Sequence, residues 1–292
     1  MISIVVETWN LRGVLEPLRE LLAAVTPQRD GAELIVTHGG IPSVLRRELD
    51  EDIADIQWLE LDPSAGYYDH KNRGFAAAHG DVVAFIDGDC TPAADWLTEL
   101  TRPIVDGGAR VVAGHTSYRG ELAALANQLD FPYFHHDRAR GTVRNFFANN
   151  VAFARDTFTG YPELAMFHGQ CQVLGLQLLA ANIAIHHAHD AHVVHAWPGG
   201  AKEWIEVRLL RGADTASLLP YVLRHYSPRA ARIAAHLGRV PALAVLAARA
   251  ITGTAMALRH GPRARGLALV AGVTLVDAIG CAAGPAVYRA FA

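Results

Sequence analysis

Asp81-Val82-Val83-Ala84-Phe85-Ile86-Asp87-Gly88-Asp89-Cys90-Thr91-Pro92 is the stretch that decides the fold. Residues 82–86 are uniformly apolar and rich in β-branched side chains, which predicts a strand buried on both faces. Asp-Gly-Asp then ends it, and Thr91-Pro92 predicts a helix start, with Thr as N-cap and Pro at the first helical position. Upstream, 69–79 is helix-like and stops at Gly80, and 58–61 reads as a strand. Residues 41–49 read as a helix with Pro42 in its first turn, and 34–36 as a strand. In 11–25, Leu11, Val14, Leu15, Leu18, Leu21 and Leu22 recur three or four apart, one helical face, and Ile2–Val6 is a β-branched strand. Strands alternating with helices predict a parallel sheet with helices on both faces. Such sheets bind ligands at the carboxyl ends of their strands, where each polar cluster here falls.

Downstream, strands are expected at 111–114 and 151–154, and helices at 121–130 and 172–181. Two short strands, 183–185 and 193–194, flank a His-rich turn, and 202–211 is an amphipathic helix. Residues 131–147 are dense in aromatic, His and Arg side chains. Residues 240–258 and 266–288 are Ala-rich and apolar, each long enough for a bilayer core. Each carries a central charge, Arg249 and Asp277, at similar distances from Pro262, so an antiparallel hairpin would pair them. Spanning a membrane, resting on one, packing as a soluble hairpin and forming a homodimer interface all remain open. The expected division is a domain over 1–200 and a helical extension over 201–292.

The 292 residues are 51% hydrophobic, which excludes a disordered chain, and the net charge of -3 argues against a nucleic-acid partner. Three widely spaced cysteines, Cys90, Cys171 and Cys281, form neither a disulfide framework nor a zinc motif. With no leader-like pattern at the start, a cytoplasmic location is expected, with attachment to the membrane from that side as a variant.

Asp87 and Asp89 at the end of a buried strand form a compact negative site suited to a hard divalent cation. Taken alone, such a triplet is also an ordinary solvated turn. His186, His187, His189, His192 and His195 invite a zinc site, but strand alternation allows only two or three to converge. His135, His136 and His168 read as polar surface or cleft residues rather than ligands.

The run from Asn72 to Pro92 resembles the core signature of family 2 glycosyltransferases of the GT-A fold, a Rossmann-like α/β architecture. Ile2–Asn10 looks like that family's first strand and donor-binding turn. Ala148–Arg155 resembles its second central strand, and Ala191–His195 its closing strand with a metal-facing His. The resemblance covers two-thirds of the chain. It implies a nucleotide-sugar donor held by Thr8, Asn10, His38, Lys71, Asn72, Asp87 and Asn150, and a divalent cation (Mn2+ or Mg2+) at Asp89 and His195. It also implies transfer to a hydroxyl-type acceptor, lipid-linked if the apolar tail meets a membrane, with inversion by direct displacement.

Two departures stand out. The family commonly ends its second strand in an Asp that reads the base; here Thr37-His38-Gly39-Gly40 stands instead. The family's Glu-Asp pair, which supplies the catalytic base, is replaced by Gln170-Cys171. Gln accepts no proton, and Cys171 reads as a small buried helix residue, so His168 is the first candidate base, with Asp137 and Glu163 behind it. The alternative is a degenerate GT-A module that binds a nucleotide-sugar or a partner without efficient turnover. A nucleotidyltransferase is disfavoured, because no Gly-rich phosphate loop follows the first strand.

Overall fold

The structure, a computed structural model, describes residues 1–11, 15–130, 141–196, 200–259 and 262–291. His135, His136 and Asp137 lie outside the described residues, as does most of the 131–147 stretch. The described chain forms two compact units: Met1–Ser117 with Tyr133–Tyr161 and Ala181–Ala196, and Tyr118–Pro132 with Pro162–Ala180 and Trp197–Ala292.

The first unit is built on one sheet. Its strands are β1 (Ile2–Glu7), β2 (Glu33–His38), β3 (Ile56–Glu60), β4 (Val82–Asp87), β5 (Cys90–Pro92), β6 (Val111–Ser117), β7 (Thr142–Val143), β8 (Asn150–Ala154) and β9 (Ile185–His195). The order is β3-β2-β1-β4-β8-β6-β9-β5, with β7 also pairing β9. β1 to β4 run parallel, as the alternating pattern predicts. β8 runs antiparallel to both β4 and β6, so the sheet is mixed rather than all parallel. Helices α1 (Glu16–Val25), α2 (Ser43–Asp52), α3 (Tyr67–Ala77) and α4 (Trp96–Val105) belong to this unit. α1 buries Leu18, Leu21, Leu22 and Val25, the face read from their spacing. α3 starts where the Gly66 N–H donates to Asp69 Oδ2 (2.8 Å).

Two local expectations are corrected. Residues 90–92 do not start a helix: they form β5, pairing antiparallel with His195, Val194 and Val193 of β9, and α4 begins four residues later. The N-cap and Pro pattern is overridden by strand pairing, and Pro92 fits the strand end because β5 closes the sheet. Residues 185–195 are one strand rather than two, with a register break opposite Gly114 and His115 where the His-rich stretch lies.

The second unit holds α5 (Ala123–Asp130), α6 (Gln170–Ala180), α7 (Ala201–Tyr226), α8 (Pro228–His236), α9 (Val240–Arg259), α10 (Arg263–Ala283) and α11 (Ala286–Phe291). The sequence-derived pairing of Arg249 with Asp277 is present. It is one edge of a larger buried network. Arg208 of α7 donates from Nε (2.7 Å) and Nη2 (2.5 Å) to Asp277, and from Nη1 to Asp130, which also pairs with Arg211 at 2.8 Å. Asp277 is fully buried, so these partners are what make its charge tolerable there. Burial raises the Asp130 carboxyl, but the adjacent Arg208 and Arg211 charges outweigh it and hold it well below the usual range.

Candidate functional site

The carboxyl ends of β1, β2 and β4 and the first turns of α3 gather a polar group inside an otherwise apolar unit. Glu7 and Asp87 are adjacent across the β1–β4 ladder, and both are buried. Lys71 Nζ, fully buried, donates to Asp87 Oδ1 at 2.6 Å. The Tyr67 hydroxyl lies 3.0 Å from both oxygens of Asp87, and Asn10 Nδ2 donates to Oδ2 at 3.3 Å. Asp87 is therefore saturated by its own protein. Glu7 accepts from the Trp9 N–H (2.9 Å) and Asn10 Nδ2 (3.1 Å), fixing the turn after β1. Burial, and next the charge of Asp87, raise the Glu7 carboxyl well above its ordinary range.

Gly88 makes the tight passage from Asp87 to Asp89 possible. Its N–H donates to the Glu7 carbonyl at 2.7 Å, and a Cβ there would sit 2.9 Å from that same oxygen. The chain then delivers Asp89 beside β9. His195 Nδ1–H donates to its neighbour's carbonyl, Ala196 O, at 2.7 Å, which fixes the orientation of the ring. Nε2 lies 3.8 Å from Asp89 Oδ2, and donor atoms of Asp89, Cys90 and His195 all lie within 4.8 Å of one another. Asp89 Oδ1 is buried without a hydrogen-bond partner. A carboxylate with one orphaned oxygen, set beside an imidazole nitrogen, is a donor set that a divalent cation would complete. Cys90 fits less well, since burial and then the Asp89 charge push its thiol well up. Burial likewise raises the Asp89 carboxyl, partly offset by His195.

His38 ends β2 fully buried. Its Nδ1 accepts from the N–H groups of Gly40 (3.2 Å) and Ile41 (3.1 Å), so Nε2 carries the proton. Burial, then Arg46, lowers its pKa, keeping the ring neutral, and Nε2 has no hydrogen-bond partner. Thr8 Oγ1 donates to the Thr37 carbonyl at 3.0 Å, tying the β1 turn to β2.

The structure thus brings Asn10, Lys71 and Asp87 together in one hydrogen-bonded group, places Asp89 and His195 side by side, and sets Thr8 and His38 at neighbouring strand ends. It does not do so for Asn72 or Asn150. The Asn72 amide is occupied by the backbone of Tyr161, donating to its carbonyl (3.0 Å) and accepting from its N–H (2.7 Å). Asn150 accepts from Trp96 Nε1 (2.9 Å) and donates to the carbonyls of Ala191 (2.9 Å) and His115 (3.1 Å), a satisfied core amide. His168 belongs to the second unit. Glu7 and Tyr67 are the members of this group that sequence reading left unassigned. Tyr67 precedes Lys71 by four residues on a helix, a spacing that places both on one face.

In the second unit, the stretch replacing the acid pair is tied down by α7. Asp214 accepts from the backbone N–H groups of Phe167 (2.7 Å) and His168 (2.6 Å) and from the Tyr288 hydroxyl (2.7 Å). Gln170 Nε2 donates to the carbonyls of Leu164 (3.1 Å) and Met166 (3.0 Å), and Cys171 is buried. Burial raises the Asp214 pKa to about 6. The folded state then holds this proton more tightly than the unfolded chain. The group's contribution to stability is therefore present below about pH 4 and lost as pH rises through about 6. Asp214→Asn is expected to remove roughly 3 kcal/mol of that pH dependence, read from urea denaturation of both proteins at pH 4 and pH 7.

Residues 3–177 match the model of glycosyl transferase family 2, more than half of the chain. The chain belongs to this family. It is 27% identical over 168 residues to the glucosyl-dolichyl phosphate glucuronosyltransferase of Haloferax volcanii, covering 54% of this chain and 53% of that protein. To Glycosyltransferase AglE of the same organism it is 26% identical over 123 residues, 40% of each chain. The chain spans about half or less of the length of these curated relatives. Among solved structures, the mannosyltransferase PcManGT from Pyrobaculum calidifontis, in complex with GDP-Man and Mn2+, superimposes with a TM-score of 0.63 at 20% identity, covering 96% of this chain and 86% of that one. The glucosyl-3-phosphoglycerate synthase of Mycobacterium tuberculosis, in complex with Mn2+, UDP and glucosyl-3-phosphoglycerate, gives 0.52 at 19% identity, covering 77% and 79%. These likenesses establish the GT-A fold: a mixed sheet flanked by helices, with a C-terminal helical region.

Proposed function

We propose that this protein is a glycosyltransferase that moves a sugar from a nucleotide-sugar to a hydroxyl-type acceptor, with inversion by direct displacement. The observation that carries the reading is the Asp89 carboxylate, with its orphaned Oδ1, set beside the Nε2 side of the His195 ring. Asp89 and His195 would hold Mn2+ or Mg2+, as the Mn2+-bound neighbour structures support. When bound, such an ion neutralises charge developing on a nucleoside diphosphate leaving group. Asp87, held by Lys71, Tyr67 and Asn10, fixes the direction in which the Asp-Gly-Asp turn presents Asp89. Thr8 and His38, at neighbouring strand ends, are the residues we assign to the base. We divide the chain into a catalytic domain over 1–200 and a helical extension over 201–292, working on the cytoplasmic side. The dolichyl phosphate named for one relative supports a lipid-linked acceptor.

His168 is the proposed general base, its backbone held by Asp214. His168→Ala is expected to lower transfer by about 10²–10⁴ with donor affinity unchanged, measured by steady-state kinetics and donor titration. The Gln170-Cys171 replacement favours one other reading, a module that binds the donor without turnover. A donor-hydrolysis assay with Mn2+ separates them: sugar release supports the enzyme, whereas binding with no release supports the module.

A further inference from the structure

α8, α9 and α10 present an outer surface unlike that of a soluble helical layer. On α9, Leu243, Val245 and Ile251 are exposed, and between Val240 and Leu258 the one exposed polar residue is Thr252. On α10, Leu267, Leu275 and Ile279 are exposed, and every exposed residue from 267 to 283 is apolar. A continuous apolar face of this kind calls for a partner. From Ser227 onward the chain carries eight arginines and a single acid, Asp277. That acid is fully buried and paired with Arg208 and Arg249, so it contributes nothing to the surface. Arg229, Arg232 and Arg239 are exposed at one end of the hairpin, and Arg259 and Arg263 at its turn.

α9 and α10 are each long and apolar enough to cross a membrane. Their inner faces do not permit it. α10 lies so close to α7 that a Cβ at Gly212 would collide with the Asp277 backbone, and one at Gly280 with the Leu209 backbone. α7 carries Lys202, Glu203, Glu206, Arg208, Arg211 and Asp214 and cannot follow into hydrocarbon. Separating the two helices would strand Asp277 and Arg208 as unpaired charges.

We propose that this face lies on, and not across, an anionic lipid surface, with the outer side chains of α8–α10 in the acyl boundary and the arginines on phosphate headgroups. Charge decides between lipid and a second copy of the chain: a two-fold dimer through this face would set arginine-rich surfaces against each other. The inference goes beyond the transferase reading and does not depend on it, because lipid binding is measured without donor or metal.

The test is sedimentation of the 292-residue chain with vesicles of phosphatidylcholine alone and of phosphatidylcholine with phosphatidylglycerol. Binding is expected on the anionic vesicles, at least about tenfold tighter than on neutral ones and weakened by salt. The triple variant Arg229→Gln, Arg232→Gln, Arg239→Gln is expected to lose about a hundredfold in affinity. Ile251→Glu with Leu275→Glu, both at exposed positions, is expected to abolish binding while circular dichroism and melting temperature stay unchanged. Equal binding to neutral vesicles would overturn the proposal, as would a vesicle-bound form resistant to alkaline extraction. A dimer dissociated by Ile251→Glu, with no vesicle binding, would overturn it in favour of a second copy.

Discussion

Asp89→Ala is expected to reduce sugar transfer by about a thousandfold or more, because a divalent cation at a diphosphate leaving group contributes several kcal/mol. The variant is expected to fold. Asp89 is a half-buried carboxylate whose ionised form is disfavoured by desolvation and whose Oδ1 has no protein partner, so its loss removes a cost rather than a bond. The melting temperature without metal is therefore expected to be unchanged or higher than that of the parent. Mn2+ with nucleoside diphosphate is expected to raise the melting temperature of the parent and not that of the variant, since only a ligand bound to the native state stabilises it. Asp89→Asn should behave alike, retaining the shape but not the charge. Activity loss with a lowered metal-free melting temperature would instead mark Asp89 as a structural residue.

Lys71→Met is expected to have the largest effect on folding, about 3–5 kcal/mol in urea denaturation. The ammonium is fully buried, 2.6 Å from Asp87 and 4.8 Å from the centre of the Tyr67 ring. Removing it leaves Asp87 charged and buried next to Glu7, whose carboxyl burial and the Asp87 charge already raise. The double variant Lys71→Met, Asp87→Asn is expected to recover part of the loss, because the stranded charge is gone. No recovery would mean that Lys71 acts through packing alone.

The framework of the first unit is legible because its strands are short apolar runs closed by polar turns. Ile2–Val6 and Val82–Ile86 lie within observed strands, with Glu7 and Asp87 one residue further. The Arg249–Asp277 pair was legible from the symmetry of two positions about Pro262. Thr91-Pro92 misled because a helix-start pattern is local, whereas pairing with Val193–His195, a hundred residues on, is not. The same limit hides Asp214: nothing near it in sequence shows that its carboxylate holds the backbone of Phe167 and His168. Asn72 and Asn150 fit a family pattern by position, but side-chain amides are satisfied by whichever backbone lies nearest, here Tyr161, Ala191 and His115. The tautomer of His38 was equally out of reach, being set by the turn that places two N–H groups on Nδ1.

The most direct test of a metal-bridged diphosphate at Asp89 and His195 is calorimetric titration of UDP and GDP into the 292-residue chain, with Mn2+ and then with EDTA. Binding with Mn2+, weakened at least about a hundredfold by EDTA and absent in Asp89→Ala, is the expected result. Equal affinity with and without the ion, or unchanged Mn2+-dependent binding in Asp89→Ala, would contradict it.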